Sequence, residues 1–238
     1  CAMRDLKSEL RDGDIDEGLY SRQLYVLGVD AMLKMQNSNI LISGLGGVGV
    51  EIAKNIILGG VKSVTLHDQT KCSIKDLSTQ FYLNKSSIGQ NRAESCIKQL
   101  SELNNYVTTN LFTGELSEEF LSSFKVIVLT EASDKEQKRI SDICRSKRIA
   151  LITADTKGLF GQVFCDFGEN FIVYDDDGLP LKTAQIISIS KEEEGVVTTE
   201  KWHNLFDGEY VTFSGVSLIK ALWETVKVKS EEREWENK

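Results

Sequence analysis

Apolar positions in the first two thirds of the chain follow two alternating spacings. Short runs rich in β-branched residues predict buried strands, and segments with apolar residues every three or four positions predict amphipathic helices between them. The predicted strands are residues 39–43, 63–67, 107–112, 125–129 and 148–153, and the predicted helices are residues 24–35, 48–58, 93–103 and 134–147. Strands that alternate with helices predict a doubly wound α/β domain, in which helices cover a mostly parallel sheet.

The pattern changes after about residue 160, where no helix separates the apolar runs. Short runs bounded by acidic, glycine-containing turns predict a small all-β module. Its predicted strands are residues 162–167, 170–174, 185–189, 195–199 and 210–213. Farther on, Leu218, Leu222 and Val226 have the spacing of a helix, and the charge-dense segment 227–238 follows them.

Charge and hydropathy exclude two classes of partner. The 238 residues include 28 Lys and Arg against 36 Asp and Glu, a net charge of −8. This balance argues against a nucleic-acid partner, because such binding rests on basic side chains that neutralise phosphates. No apolar run reaches the roughly 18 residues of a membrane-spanning helix, and residues 1–16 are charged with both signs, unlike a signal or transit peptide. We therefore expect neither a nucleic-acid partner nor a membrane.

Five cysteines and two histidines offer little for metal or disulfide chemistry. The cysteines are odd in number and form no CxxC pair, so we expect no metal site, no disulfide framework, and a cytoplasmic and nuclear location. Cys144 and Cys165 lie in apolar runs and are expected in the core, whereas Cys72 lies in a predicted loop and could be reactive, although no neighbouring residue activates it. His67 ends a predicted buried strand and is expected to be a packed residue.

A glycine motif follows the first predicted strand and opens the next helix. Gly44, Gly46 and Gly49 satisfy GxGxxG, and Asp68 ends the following strand nineteen residues later. Such glycines allow a tight turn and let phosphates approach the N–H groups of the helix, while an acidic residue can accept hydrogen bonds from a ribose. The motif predicts nucleotide-binding ancestry, with NAD(P) or ATP as the ligand. Asp68 has a second interpretation, as a cap of the turn that follows it.

Several further motifs resemble the ubiquitin-activating enzyme family. They include a Leu-Tyr-Ser-Arg-Gln-Leu-Tyr-Val-Leu-Gly run and four shorter segments, and the likeness covers residues 14–216. The matching segments are residues 19–28, 50–55, 76–81, 158–161 and 165–168. The chain is most similar to single-chain ubiquitin-type activators, with those that serve both ubiquitin and a ubiquitin-like modifier as the nearest group.

The resemblance implies a domain organisation. Residues 14–168 would form a Rossmann-like, ThiF-type adenylation domain after a flexible N-terminus, residues 1–13. Residues 169–216 would begin the first catalytic-cysteine half-domain, a truncated all-β module, and residues 217–238 would be a divergent charged tail. We expect the chain to be a fragment or alternatively terminated form of an ATP-dependent ligase.

The resemblance also implies which half of the enzyme this is. These enzymes contain two related adenylation halves, of which one binds ATP and Mg²⁺ and adenylates the modifier. The family's second acidic residue and its phosphate-binding arginine correspond to Thr70 and Thr79 here, and its lysine corresponds to Arg92. Glu131 lies near the position of the magnesium-binding aspartate. We therefore expect the inactive half, with a vestigial nucleotide site at Gly44, Gly46, Gly49 and Asp68.

One arginine carries the function that the resemblance implies for an inactive half. In the family, an arginine from its first helix reaches the ATP of the active half, and this position corresponds to Arg22, with Tyr20 and Gln23 packing or hydrogen-bonding around it. The partners would be the active half, in a pseudo-dimer, and ubiquitin or a ubiquitin-like modifier. The alternative for Arg22 is an ordinary surface ion pair. The chain alone is expected to be catalytically incompetent.

Two other functions stay open at this point. The chain could be the regulatory subunit of a heterodimeric SUMO-type activating enzyme, although such subunits lack the β insertion that residues 171–213 resemble. It could also be an NAD-dependent oxidoreductase, for which the glycine loop is the sole support.

Overall fold

The computed structural model describes residues 15–173, 182–190, 195–206, 208, 210, 211, 213, 226 and 227. The chain divides into two compact units, Cys1–Phe171 and Ile172–Lys238. The prediction of a flexible segment at residues 1–13 lies outside the described residues. The glycine motif, Arg22 and Arg92 all belong to the first unit.

Helices and strands alternate along the first unit, as predicted. Two single-turn 3₁₀ segments, Asp76–Ser78 and Lys85–Ser87, lie in the loop after the second strand. The described helices are α1 Glu17–Leu27, α2 Val29–Gln36, α3 Gly47–Gly59, α4 Arg92–Ser101, α5 Glu118–Leu121 and α6 Asp134–Lys147. The strands are β1 Asn39–Ser43, β2 Ser63–His67, β3 Thr108–Phe112, β4 Val126–Leu129, β5 Ala150–Lys157 and β6 Phe160–Asp166.

The six strands form one sheet in the order β3-β2-β1-β4-β5-β6. Strands β1 to β5 run parallel, and β6 returns antiparallel to β5 at the edge. The predicted doubly wound α/β fold is therefore confirmed. The strand order reverses between β1 and β4, and ligands of such folds bind in the crevice outside the carboxyl ends of the strands at this point.

Successive residues of β1 point to the two opposite faces of the sheet. Ile40 and Ile42 pack with α3 and α4 in one buried cluster, and Leu41 packs with α6 in the other. This alternation follows the two-residue period of a strand. The continuous apolar run is explained by helices on both faces.

The prediction of a single helix over residues 24–35 is wrong, because the helix is interrupted at Gly28. Gly28 has a φ of 77°, a conformation that glycine adopts at little cost, and it separates α1 from α2. Asp16 starts α1, since its carboxylate accepts a hydrogen bond from the backbone N–H of Leu19. Leu27, expected on the buried face, is 47% exposed at the end of α1.

Two other predicted strands differ from the structure. The strand predicted at 148–153 begins at Ala150, because Arg148 adopts a left-handed conformation that ends α6. Residues 170–173 form no strand; instead the ring of Phe171 packs on Phe167, with centroids 4.9 Å apart. Tyr174 lies outside the described residues.

The second unit contains two small antiparallel pairs among its described residues. Strands β7 Ile186–Ile189 and β8 Val197–Thr199 pair with one register shift, and β9 Tyr210–Val211 pairs with β10 Val226–Lys227. An all-β character is thus present in the described part of this unit. Val226 forms a strand pair rather than the predicted helix, and residues 217–225 lie outside the description.

Among the residues that the structure describes, the longest helix is α6, with 14 residues. None of the described helices has the length and apolar character needed to cross a membrane.

Candidate functional site

The glycine loop lies between β1 and α3, at the point where the strand order reverses. Gly44 has a φ of 91°, and a Cβ there would stand 2.2 Å from the backbone oxygen of Thr130. A Cβ on Gly49 would stand 1.8 Å from the backbone oxygen of Gly44. Both positions therefore require glycine, and the predicted strand–loop–helix context of the motif is present.

Asp68 lies directly after β2, is 3% exposed, and has both carboxylate oxygens engaged within the chain. Oδ2 accepts hydrogen bonds from the backbone N–H of Leu45 at 2.7 Å and from Nε of Arg92 at 2.9 Å. Oδ1 accepts one from the backbone N–H of Thr70 at 2.7 Å. This last bond is the turn cap that the second interpretation of Asp68 required. The carboxylate ties the glycine loop to α4 rather than pointing free into the crevice.

Arg92, at the start of α4, is 4% exposed and holds three carboxylates together. Its guanidinium nitrogens lie 2.8 Å from Asp68, 3.1 Å from Asp76 and 2.7 Å from Glu131. Asn91 caps α4 by accepting hydrogen bonds from N–H groups of the first turn, and its side chain also donates to the backbone oxygen of Asp68 at 2.7 Å. These bonds fix the start of α4 and with it the position of Arg92.

The charge of Arg92 is stabilised by these partners. Burial alone would lower the pKa of Arg92, but hydrogen bonds and ion pairs to Glu131, Asp68 and Asp76 outweigh burial and raise it. Burial likewise opposes ionisation of Asp76, yet hydrogen bonds from Ser73 and Arg92 leave its pKa below the ordinary value. Arg92 and Asp76 therefore both favour their charged forms, and their hydrogen bonds offset the cost of burying them.

Glu131 reaches back over the glycine loop from the end of β4. Its φ is 57°, an uncommon conformation for a residue with a side chain. Its backbone N–H donates to Oδ1 of Asp155 at 2.8 Å, which holds this conformation in place. Its carboxylate lies against Gly46, since a Cβ on that glycine would stand 1.8 Å from Oε1 of Glu131.

ATP with Mg²⁺ is the ligand that the resemblance implies for the family, and the residues at this loop do not fit it. The acidic residue expected at the ribose is occupied by protein donors, and a carboxylate lies beside the loop where phosphate would approach. Thr79 packs against the first turn of α3, within 3.0 Å of a Cβ on Gly47. No group of three or more His, Cys, Asp or Glu within the described ranges is arranged to hold a metal ion.

Arg22 lies on the opposite side of α1 from the residues that anchor this helix. The side chain is exposed and forms no ion pair with any residue that the structure describes. Its neighbours three and four positions on, Tyr25 and Val26, are 92% and 77% exposed, and Leu19 is 56% exposed. We call Leu19, Arg22, Tyr25 and Val26 the outer face of α1. Arg22 is thus surrounded by exposed apolar side chains, and the alternative of a surface ion pair finds no partner among the described residues.

Tyr20 and Gln23 anchor α1 rather than surround Arg22. Tyr20 is 2% exposed, its ring packs on Gly60, and its hydroxyl accepts a hydrogen bond from Nδ2 of Asn104 at 2.8 Å. Nε2 of Gln23 donates to the backbone oxygen of Leu58 at 3.5 Å. The expectation was that they pack or hydrogen-bond around Arg22; instead, the described hydrogen bonds of both side chains are made to the body of the domain.

The cysteines are structural or peripheral. Burial raises the pKa of Cys96 to about 12 and that of Cys144 to about 11, so both thiols stay protonated in the core. Cys72 is buried, and burial raises its pKa as well, which disfavours the reactive thiolate. Cys165, expected in the core, is exposed because β6 is the edge strand of the sheet.

His67 is a packed residue, as predicted. Nδ1 lies 2.8 Å from the hydroxyl of Ser43 and Nε2 lies 3.0 Å from the backbone oxygen of Gly114, so the ring joins β1, β2 and the loop after β3. Burial lowers the pKa of His67, which keeps the ring neutral at neutral pH.

Sequence reasoning assigned no role to three residues of this site. Asp76 binds Arg92, Asp155 holds Glu131, and Nε2 of Gln80 donates to the backbone oxygen of Leu45 at 2.6 Å. Asp76 and Gln80 lie in the 76–81 segment that carried the resemblance, which was a signal for them. Asp155 has no local signal, because its role depends on β5 lying beside β4.

A doubly wound sheet with a glycine loop at its switch point defines a Rossmann-like nucleotide-binding fold. Residues 20–175 match the ThiF family. The chain is 53% identical over 207 residues to ubiquitin-like modifier-activating enzyme 1 of Homo sapiens, covering 86% of this chain and 20% of that protein. It is 52% identical over 210 residues to ubiquitin-activating enzyme E1 1 of Schizosaccharomyces pombe, covering 87% and 20%.

A more distant relative shows the same coverage. The Dictyostelium discoideum ubiquitin-like modifier-activating enzyme 1 is 44% identical over 211 residues, which is 87% of this chain and 21% of that protein. The chain thus spans about a fifth of the length of these relatives. It belongs to the ThiF family, and its predicted place in the ubiquitin-activating enzyme family is confirmed.

Proposed function

We propose that this chain acts as the non-adenylating half of a ubiquitin-type activating enzyme and lends Arg22 to the ATP bound by the partner half. The partner half would join ATP to the C-terminus of ubiquitin or a ubiquitin-like protein. The observation that carries the proposal is an exposed arginine, without an ion pair in the described part of the chain, on a helix anchored by a buried tyrosine. Free cysteines support a reducing, cytoplasmic and nuclear setting.

The chemistry explains why a cation from a second domain is useful. In adenylation, a carboxylate oxygen of the modifier attacks the α-phosphorus of ATP, and the bond from that phosphorus to the bridging oxygen of pyrophosphate breaks. Negative charge accumulates on the departing pyrophosphate. A guanidinium placed there binds the transition state more strongly than the ground state, which lowers the barrier.

The outer face of α1 is suited to carry this arginine to a partner. Leu19, Tyr25 and Val26 would lose water on docking, and burial of such apolar area drives association. An arginine surrounded by them would become desolvated only when it reaches an anion. The interaction with phosphate would then be stronger than in water.

Anchoring of α1 would supply the geometric precision. The inner residues Tyr20 and Gln23 bind the body of the domain, so docking of the outer face would not require α1 to move. A helix that is already fixed loses less entropy when the complex forms.

An exchange assay tests the proposal. The chain alone, with ubiquitin, ATP and Mg²⁺, is expected to show no ATP–pyrophosphate exchange, because its own loop does not fit the nucleotide. A two-half enzyme that contains this chain is expected to exchange, and Arg22→Gln is expected to slow it. Lys98→Gln is the matched control, since it removes one positive charge from an exposed site on α4. Exchange by the isolated chain would contradict the proposal.

A further inference from the structure

The crevice at the glycine loop contains a carboxylate of the chain itself. Oε1 of Glu131 lies beside Gly46, and Oε2 binds Nη2 of Arg92 at 2.7 Å. We propose that Glu131 is an internal plug that keeps phosphate-bearing ligands out of this crevice. The inference concerns the chain's own loop and does not rest on the role of Arg22.

Glu131 lies at the place in the fold where ligands bind. Gly44 follows β1 directly, and Glu131 follows β4 with one residue, Thr130, between them, so both lie where the strand order reverses. This is the place at which the fold receives ligands. The contact between Glu131 and Gly46 therefore fills the space that a phosphate would need to reach the loop.

The charges around Arg92 also oppose the binding of an anion. Three donor nitrogens of Arg92 are engaged, Nε by Asp68, Nη1 by Asp76 and Nη2 by Glu131. Three carboxylates surround one guanidinium, so an arriving anion meets excess negative charge. It could bind Arg92 only by displacing Glu131, whose side chain is the most exposed of the three partners at 50%.

The backbone of Glu131 is strained. A left-handed conformation at a residue with a Cβ costs roughly 1–2 kcal/mol, and Glu131 is held in it by the carboxylate of Asp155. Asp155 is itself braced, since its Oδ2 accepts a hydrogen bond from Nε2 of Gln137 at 3.1 Å. Strain maintained by specific contacts at a ligand crevice points to a role for the strained residue.

The loop also retains one unsatisfied polar atom. Oε1 of Gln80 is buried and has no hydrogen-bond partner within the part of the chain that the structure describes, while Nε2 of the same amide donates to the backbone oxygen of Leu45. A buried acceptor without a partner is uncommon in a folded protein. Beside the glycine loop, the side chain of Gln80 thus keeps one acceptor oxygen to which Glu131 gives no hydrogen bond.

The test removes the plug from the full 238-residue chain. Glu131→Gly deletes the carboxylate and suits the left-handed backbone. Isothermal titration calorimetry with ATP and Mg²⁺ is expected to show saturable binding by this variant, with at least tenfold higher affinity than the parent chain. Arg148→Gly is the matched control, because Arg148 has a φ of 58° at the end of α6 and its replacement relieves the same strain elsewhere. The control is expected to behave as the parent.

The binding results of the parent chain and of the Glu131 variants decide the proposal. Equal affinity of the parent and the Glu131→Gly variant would overturn the proposal, and so would absence of binding by a folded variant. Glu131→Asn is a second variant, since asparagine also tolerates the left-handed region and carries no charge; it is expected to gain binding as well. Perturbation of the Gly46 and Gly47 amide resonances on titration would place the ligand at the loop, and their invariance would contradict the proposal. Because the readout uses the isolated chain, its failure would leave the role of Arg22 unaffected.

Discussion

The hydroxyl of Tyr20 accepts a hydrogen bond from Nδ2 of Asn104 at 2.8 Å, although 84 positions separate the two residues in the chain. The same Asn104 nitrogen donates to the backbone oxygen of Ile57 at 2.9 Å, near the end of α3. The helix that carries Arg22 is therefore fixed to the body of the domain by a buried polar contact. The fixed position of α1 on the domain depends on this hydrogen bond as well as on apolar packing.

Tyr20→Phe tests the anchor. The substitution keeps the ring against Gly60 and removes only the hydroxyl, so the free energy of unfolding is expected to fall by about 0.5–1.5 kcal/mol, the net value of one hydrogen bond. Urea denaturation measures it. Tyr25→Phe is the matched control, because the Tyr25 side chain is almost fully exposed on the same helix. Equal losses in the two variants would show that the contact with Asn104 contributes nothing specific.

Arg92→Met tests the carboxylate cluster. Removal of the guanidinium leaves Asp68 as a buried carboxylate without its cation, and breaking a buried ion pair in this way costs about 3–5 kcal/mol. The expected loss of unfolding free energy is therefore large. Arg139→Met is the control, because Arg139 pairs with Glu136 on the surface of α6 and such pairs contribute at most about 1 kcal/mol. Similar losses in both variants would contradict a buried, cooperative cluster.

Gly46→Ala tests the contact between the loop and Glu131. The new Cβ would overlap Oε1 of Glu131, so we expect a loss of about 1–3 kcal/mol, typical of overpacking. In a Glu131→Gly background the same substitution is expected to cost less, and a double-mutant cycle by chemical denaturation measures the difference. An additive cycle would mean that the carboxylate does not occupy the position beside Gly46.

His67 predicts a pH dependence of stability. Burial lowers the pKa of His67 in the folded chain below the value of about 6.5 expected for the unfolded chain. The unfolded state therefore binds a proton more readily, so stability is complete above pH 6.5 and falls as the pH drops toward the folded pKa. Denaturation between pH 8 and 5.5 is expected to show this slope, and His67→Gln is expected to reduce it. His203→Gln is the control, and an unchanged slope in His67→Gln would contradict the assignment.

The main features of the sheet were accessible from local pattern. Ile40, Leu41 and Ile42 are apolar in succession, which indicates a strand covered on both faces, and the structure places them in the two clusters on either side of β1. The glycine spacing likewise located the turn at Gly44. These features depend on residues that are neighbours in the chain.

Features that depend on distant partners were missed. Residues 162–165 read as a buried run, but β6 is an edge strand, so Cys165 is exposed; no local pattern encodes the position of a strand in the sheet. The three carboxylates that bind Arg92 come from two connections: Asp68 and Asp76 lie between β2 and α4, and Glu131 lies after β4. Motif comparison placed Arg92 and Glu131 near a nucleotide, whereas the structure joins them to each other.

Exchange kinetics with Arg22 variants test the central claim most directly. In a two-half enzyme that contains this chain, Arg22→Gln is expected to reduce ATP–pyrophosphate exchange roughly 100-fold or more, the scale of losing one transition-state charge contact. Arg22→Lys is expected to fall between, because it keeps the charge and loses the planar fork. Lys98→Gln is expected to match the parent. Unchanged exchange in Arg22→Gln would show that this arginine does not act on the partner's ATP.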